Sequence, residues 1–124
     1  MPIKLVYNEQ NAILYAFCKG ILTVEEFTSA MNEIISSKEY PADVRTLWDA
    51  VEFDASSVDS CFITQLIAIR GNYPTRSSAK LALFAPEDLG FGVSRMYEAW
   101  SDELPQNIRV FRRSVEAEKW LLEE

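Results

Sequence analysis

The segment from Lys80 to Asp102 constrains the fold more than any other part of this 124-residue chain. Its first part, Lys80–Ala85, has the composition of a buried strand and is followed by Pro86. A helical pattern comes next, and its apolar side chains recur at the spacing of one inward face: Val93, Met96, Tyr97 and Trp100. A strand followed at once by a helix is half of a strand–helix–strand crossover. The segment therefore predicts an α/β domain with a mostly parallel sheet.

The rest of the chain predicts four more strands and three more helices. We expect the strands at Ile3–Asn8, Ala12–Cys18, Thr46–Ala50 and Ile108–Arg112. We expect the helices after a capping box at Thr23–Glu26, from caps at Ser56 and Ser57 to about Arg70, and after a cap at Ser114. The order is β-β-α-β-α-β-α-β-α. It predicts one domain over residues 1–124 with a mixed five-stranded sheet, an N-terminal antiparallel hairpin and packed helices.

The composition excludes several classes of function. The net charge of −7 disfavours a nucleic-acid partner, because an acidic surface repels phosphate. The chain has no histidine, which removes the usual general base and the usual metal ligand, so we expect no enzyme, no metal and no cofactor. We see no signal peptide and no membrane span. Cys18 and Cys61 lie in apolar segments and indicate reduced, buried thiols, so the expected location is cytoplasmic.

The first candidate site lies between Asp49 and Ser60. Ser56 and Ser57 stand at the expected start of the second helix, beside Asp54 and Asp59. A phosphate added to either serine would face unpaired backbone N–H groups and add charge next to the aspartates, so it could switch a protein contact. The alternative is that Ser56 or Ser57 only caps the helix.

The second candidate site is the crevice at the carboxyl ends of the third and fourth strands, where open α/β sheets tend to bind ligands. The residues expected there for ligand or partner binding are Trp48, Asp49, Phe91, Arg95 and Tyr97. Arg95 is a candidate to bind a carboxylate or phosphate. The alternative is that Arg95 pairs with a nearby carboxylate of the protein.

The second helix carries more apolar residues than contact with one sheet needs. The surplus indicates either a central, well-buried helix or a surface that meets a second copy of the protein, which would make a homodimer. The aromatic residues of the chain are interpreted as core, because their spacings are those of inward faces.

Several segments together resemble one family over Ile3 to Leu122. They are the hairpin, the helix start at Gly20–Glu26, the strand-terminal Asp49, the strand Leu81–Ala85, and the segments Phe91–Ala99 and Val110–Leu121. The chain resembles the SpoIIAA-like proteins, small bacterial proteins related to STAS and SEC14 domains. The resemblance implies a STAS-like sheet with packed helices and a cytoplasmic protein without an assigned reaction.

The same resemblance implies two modes of action. Related anti-sigma factor antagonists are phosphorylated on a serine that follows an aspartate. Here Ala55 separates Asp54 from Ser56, and Val58 stands where those proteins have glycine. The SEC14 side implies binding of a small hydrophobic, lipid-like ligand. Our hypothesis is a non-enzymatic binding or regulatory domain, with a phosphorylation-switched regulator and a hydrophobic-ligand carrier as alternatives.

Overall fold

The computed structural model describes residues 3–77, 79–101 and 107–123. The strands are β1 (Ile3–Asn8), β2 (Ile13–Gly20), β3 (Arg45–Phe53), β4 (Leu81–Phe84) and β5 (Ile108–Phe111). The helices are α1 (Val24–Ser36), α2 (Ser60–Gly71), α3 (Pro74–Ser77), α4 (Asp88–Trp100) and α5 (Ser114–Leu122). A 3-10 turn, Ala55–Ser57, precedes α2.

The predicted sheet is confirmed. Its spatial order is β1-β2-β3-β4-β5, with β1 and β2 antiparallel and every later pair parallel. β2 lies inside the sheet, as its lack of a polar face predicts. The capping box is also present: the Thr23 hydroxyl accepts from the Glu26 N–H at 3.1 Å, and the Glu26 carboxylate accepts from the Thr23 N–H at 2.9 Å.

Helices cover both faces of the sheet. On one face α1, α2 and α4 enclose the larger core cluster, which includes Phe27, Trp48, Ile63 and Tyr97. On the other face α5 packs on β3, β4 and β5 over a smaller cluster: Ile13, Leu47, Ala82, Ala117 and Leu121. Successive side chains of a strand point to opposite faces, which explains why Leu81 and Ala82 belong to different clusters.

Some expected inward positions are wrong. Met96 and Trp100 of α4 are exposed, because this helix packs along a narrower apolar stripe than the sequence indicates. Ser114 is the first residue of α5 and not its cap. The flanking residue is Arg113, and its side chain makes no capping hydrogen bond. The short helix α3, between α2 and β4, is not among the helices expected from the sequence.

Candidate functional site

An apolar cavity lies between the sheet and helices α1, α2 and α4. Its volume is about 100 Å³. Most of its wall is aliphatic or aromatic: Cys18, Leu22, Phe27, Met31, Trp48, Ala50, Phe53, Val58, Phe62, Ile63, Leu66, Leu81, Leu83, Val93 and Tyr97. A mostly apolar concavity with a few polar groups is the usual form of a small-molecule site.

The cavity has an open end and a closed end. Partly exposed lining residues come from the carboxyl ends of β3 and β4, the first turn of α2 and the first turns of α4: Ala50, Phe53, Phe62, Leu83, Val93 and Ser94. This open end is the edge at which open α/β sheets tend to bind ligands. Leu81, Arg70 and Arg76 lie at the closed end and are buried.

Arg70 is the last buried residue of α2 and is only 3% exposed. Its Nη2 donates to the carbonyl oxygens of Arg76 at 2.9 Å and Ala79 at 3.4 Å. Its Nη1 is buried and has no hydrogen-bond partner among the described residues. Burial lowers the pKa of Arg70, and the neighbouring Tyr97 hydroxyl opposes that shift. An arginine still carries its charge at neutral pH, so Arg70 is a buried cation with unused donor capacity.

Arg76 of α3 is equally buried but more completely bonded. Its Nη1 donates to the carbonyl oxygens of Ala42 at 3.0 Å and Val44 at 2.7 Å, and its Nη2 donates to the Thr46 hydroxyl. These bonds fasten α3 to the start of β3. Burial, together with the charge of Arg70, lowers the pKa of Arg76 to about 10.

Two further titratable side chains line the cavity. Burial raises the pKa of Tyr97 to about 12, although the charge and side-chain contact of Arg70 oppose the rise. Burial raises the pKa of the Cys18 thiol to about 11, and the Glu26 carboxylate adds to it. Both groups are therefore neutral at physiological pH, and the charge at the cavity wall comes from Arg70 and Arg76.

Comparison with known proteins identifies the architecture. No protein-family model matches the chain. No curated protein matches it either. Among solved structures, an uncharacterised protein of the DUF3478 family from Shewanella loihica PV-4, which has a SpoIIAA-like fold, aligns with a TM-score of 0.63. The alignment covers 96% of this chain and 91% of that chain at 17% identity. The chain has a SpoIIAA-like fold. At this identity the likeness establishes the fold alone.

In this SpoIIAA-like chain, the predicted binding residues divide into two groups. Trp48 and Tyr97 line the cavity, and the Trp48 ring lies 5.7 Å from that of Phe27. Asp49 is the next residue along β3 and therefore belongs to the opposite face of the sheet, where it accepts from the Val51 N–H at 3.0 Å. The prediction assigned Trp48 and Asp49 to one crevice. Because adjacent residues of a strand face opposite sides of the sheet, only Trp48 lines the cavity.

Phe91 and Arg95 lie on α4 and are not among the residues that line the cavity. The Arg112 guanidinium stacks 4.1 Å from the centre of the Phe91 ring and pairs with Asp88 at 2.8 Å. The Arg95 side chain is 62% exposed and pairs with Glu98 at 3.2 Å. Arg95 therefore makes the pairing with a protein carboxylate that the sequence analysis gave as the alternative to ligand binding.

Ser56 and Ser57 lie in the 3-10 turn and are exposed. Neither caps α2: Asp59 does, accepting from the Phe62 N–H at 2.8 Å. The expected serine cap is wrong, because Asp59 lies directly before the helix and a carboxylate is an equally good cap. The Ser56 hydroxyl donates to the Asp54 carboxylate. Phosphorylation of either serine stays a prediction.

The apolar surplus of α2 faces inward. Phe62, Ile63 and Leu66 line the cavity, and Ile67 and Ile69 pack against the core cluster. The exposed residues of this helix are small or polar: Ser60, Cys61, Thr64, Gln65, Ala68 and Gly71. The homodimer stays a prediction, but α2 does not present the apolar surface on which that prediction depended. Cys61, expected to be buried, is exposed.

Arg70 and Arg76 were not among the site residues predicted from the sequence. A signal for Arg70 was present, because it follows Leu66 by four residues and Ile63 by seven and so shares their helical face. A cation on the inward face of an apolar helix indicates a buried polar site. Arg76 gave no such signal, because it lies in a segment without periodicity.

The described residues contain neither a membrane-spanning helix nor a cluster of metal ligands. Over residues 3–77, 79–101 and 107–123, no helix combines the length and apolar character needed to cross a membrane. The same part of the chain contains no group of three or more cysteine, aspartate or glutamate side chains placed to hold a metal ion. The cytoplasmic location stays a prediction.

Proposed function

We propose that this protein is a non-enzymatic binding protein whose cavity receives a small hydrophobic molecule. The observation that supports the proposal is the cavity itself, an apolar space of about 100 Å³ enclosed by the sheet and three helices. Natural cores are packed to the density of organic crystals, and an empty apolar space costs stability. A ligand that fills this cavity, which opens at the carboxyl edge of the sheet, would offset the loss of stability.

The test is a titration with hexan-1-ol, a neutral apolar probe, followed through methyl signals in two-dimensional NMR. We expect saturable shifts of methyl groups in the cavity wall, those of Met31, Ile63 and Leu66. Methyl groups of Ile13, Leu47 and Leu121, on the opposite face of the sheet, are the internal control and should not shift. Absence of saturable shifts, or equal shifts on both faces, would contradict the proposal.

A variant separates entry into the cavity from general adsorption. Ala50 lines the open half of the cavity, so Ala50→Leu should place a larger side chain where the ligand would lie. We expect this variant to lose the hexan-1-ol shifts while keeping its folded spectrum. Undiminished binding to a folded Ala50→Leu protein would place the probe elsewhere.

The phosphorylation-switched regulator is the second candidate. It is favoured by the exposure of Ser56 and Ser57 beside Val58, a lining residue of the cavity. Against it, the serines belong to a three-residue 3-10 turn and not to the first turn of a long helix, so the helix dipole gives a phosphate little stabilisation there. Mass spectrometry of protein isolated from its own cells is the test, and unmodified Ser56 and Ser57 would count against this candidate.

A further inference from the structure

We propose that the ligand is a small apolar carboxylate, with its apolar part in the cavity and its carboxylate paired with the guanidinium of Arg70. The inference rests on the proposed function, because it requires that the cavity accept a ligand. It adds the chemical class of that ligand and the residue that selects it.

The positive charge at the closed end of the cavity is only partly compensated by the protein. Arg70 and Arg76 are each 3% exposed, and within the described residues neither forms an ion pair with a carboxylate. Burial and, second to it, repulsion by Arg70 lower the pKa of Arg76, and the Asp43 carboxylate opposes that shift without forming an ion pair with Arg76. Buried charges are normally paired, since an unpaired one loses its hydration without a replacement. A bound anion would supply the missing partner.

The two arginines differ in the hydrogen-bond donors that remain available for a ligand. Both terminal nitrogens of Arg76 are bonded to protein oxygens, which gives Arg76 a structural role, although its Nε is buried without a hydrogen-bond partner among the described residues. Arg70 lines the cavity and donates from Nη2 to two carbonyl oxygens, and its side chain also contacts the Tyr97 hydroxyl. Its Nη1 is shielded from solvent and has no hydrogen-bond partner among the described residues. The Tyr97 hydroxyl lies beside Arg70 and is a second donor. A carboxylate accepts two such hydrogen bonds.

The charged side chains that line the cavity are all positive among the described residues. The described lining residues include two arginines and no aspartate or glutamate. The chain as a whole has a net charge of −7. The chain as a whole therefore repels anions on average, whereas the charged residues that line the cavity are positive. An apolar tail is needed as well, because the wall between Arg70 and the open end is apolar.

The volume limits the size of the tail. An engineered apolar cavity of about 150 Å³ holds benzene, so a cavity of about 100 Å³ accepts a short aliphatic chain or part of a single ring, with any remainder at the open end. Arg70 Nη1 is shielded from water, so the carboxylate reaches it after a small shift of neighbouring side chains. Arginine has several rotatable bonds that permit such a shift.

The experiment compares hexanoate, hexan-1-ol and acetate by the methyl titration described above. Hexanoate and hexan-1-ol share a tail, and hexanoate and acetate share a headgroup. We expect hexanoate to bind at least about tenfold more tightly than hexan-1-ol, the ratio that one charge-assisted hydrogen bond provides. We expect acetate to produce no saturable shift of the Met31 and Ile63 methyl groups.

Two arginine variants test whether Arg70 is the residue that selects the carboxylate. Arg70→Met removes the buried charge with little change of side-chain length, and it should abolish the preference for hexanoate while leaving hexan-1-ol binding in place. Arg95→Met is the matched control, because it removes the same charge from an exposed position outside the cavity, and it should leave the preference unchanged. Should Arg70→Met fail to fold, the guanidinium ¹H–¹⁵N signals of Arg70 in the unmodified protein give the answer: hexanoate should shift them and hexan-1-ol should not.

The outcomes distinguish the two proposals. If hexan-1-ol does not bind, the proposed function fails. If hexan-1-ol binds but hexanoate binds no more tightly, the carboxylate inference fails and the proposed function stands. A preference for hexanoate that survives in Arg70→Met, or acetate binding as tight as that of hexanoate, would also overturn the inference.

Discussion

The two faces of the sheet are built differently from the same five strands. The face under α5 is closed by five aliphatic side chains, each at most 2% exposed: Ile13, Leu47, Ala82, Ala117 and Leu121. The opposite face is covered by three helices and many aromatic side chains, and it contains the cavity and two buried arginines. One side of the sheet is closely packed, and the other side contains a cavity and buried positive charge.

The two faces differ because one helix covers the filled face and three helices share the other. On the filled face, Ala82 of β4 and Ala117 of α5 are small enough for a single helix to lie close to the sheet. Lys80 adds to this by donating from Nζ to the carbonyl oxygens of Trp120 at 2.9 Å and Glu123 at 2.8 Å, at the end of α5. On the other face α1, α2 and α4 share the sheet, and space remains between them. Close packing is therefore concentrated on the filled face, and the open face contains the space that the proposed ligand would occupy.

The largest expected effect comes from shortening a leucine on each face. Leu47 of β3 belongs to the filled cluster, whereas Leu81 of β4 lines the cavity. We expect Leu47→Ala to lower the free energy of unfolding by about 4 kcal/mol and Leu81→Ala by about 2 kcal/mol, near the two ends of the usual range. Leu81 loses less because part of its side chain already faces empty space. Urea unfolding of both variants measures the difference, and equal losses would indicate that the two faces are packed alike.

Adding volume to one side chain on each face should again destabilise the filled face more than the cavity face, with smaller losses than shortening a leucine. Ala82 is fully buried in the filled cluster, so Ala82→Leu should cost about 1 to 3 kcal/mol of stability through overpacking. Ala50 lines the cavity, so Ala50→Leu should change stability by less than about 1 kcal/mol, because the new atoms enter existing space. Thermal unfolding of the pair is the measurement. A large loss in Ala50→Leu would mean that the cavity cannot accept extra volume, and so would also weaken the proposed function.

The sheet could be predicted because the sequence patterns that determine it involve residues that are close together in the chain. Two short apolar strands joined by a polar turn give the hairpin, and strand–helix alternation gives the parallel order that β3, β4 and β5 adopt. The capping box at Thr23 and Glu26 is similarly local, since both partners lie within one helical turn. In each case residues close in sequence determine the structure.

The cavity was not predictable because it depends on how three distant helices meet. Trp48 and Tyr97 were expected near one site and do line the cavity, but no spacing in the sequence distinguishes an aromatic residue beside a space from one in a filled core. Asp49 was misplaced because a strand end was treated as one position, although adjacent residues face opposite sides. Arg76 was missed because its partners, Ala42, Val44 and Thr46, lie about thirty residues earlier.

A third comparison concerns the helices that cover the two faces. The Asp59 side chain caps α2 on the cavity side, whereas α5 on the filled side has no side-chain cap. We expect Asp59→Ala to cost about 1 kcal/mol of unfolding free energy, the usual value for a lost cap. Ser57→Ala is the control and should have almost no effect, because its exposed side chain does not cap this helix. Chemical denaturation distinguishes the two, and a larger loss in Ser57→Ala would restore the serine cap that the sequence indicated.

The last effect is absent at neutral pH, appears only at alkaline pH and concerns the buried thiol on the cavity side. The pKa of Cys18 is raised from 9.0 to about 11, so above pH 9 the unfolded chain loses this proton first and the folded chain keeps it. The stabilisation is therefore complete below pH 9 and is lost as the pH rises through 11. We expect stability to fall less steeply between neutral pH and pH 10 in Cys18→Ala than in the unmodified protein. Cys61→Ala, which removes an exposed thiol, should keep the steeper fall. Identical slopes for both variants would show that the Cys18 thiol is hydrated in the folded state, which would mean that water enters the cavity freely and that the open face is less apolar than its lining residues indicate.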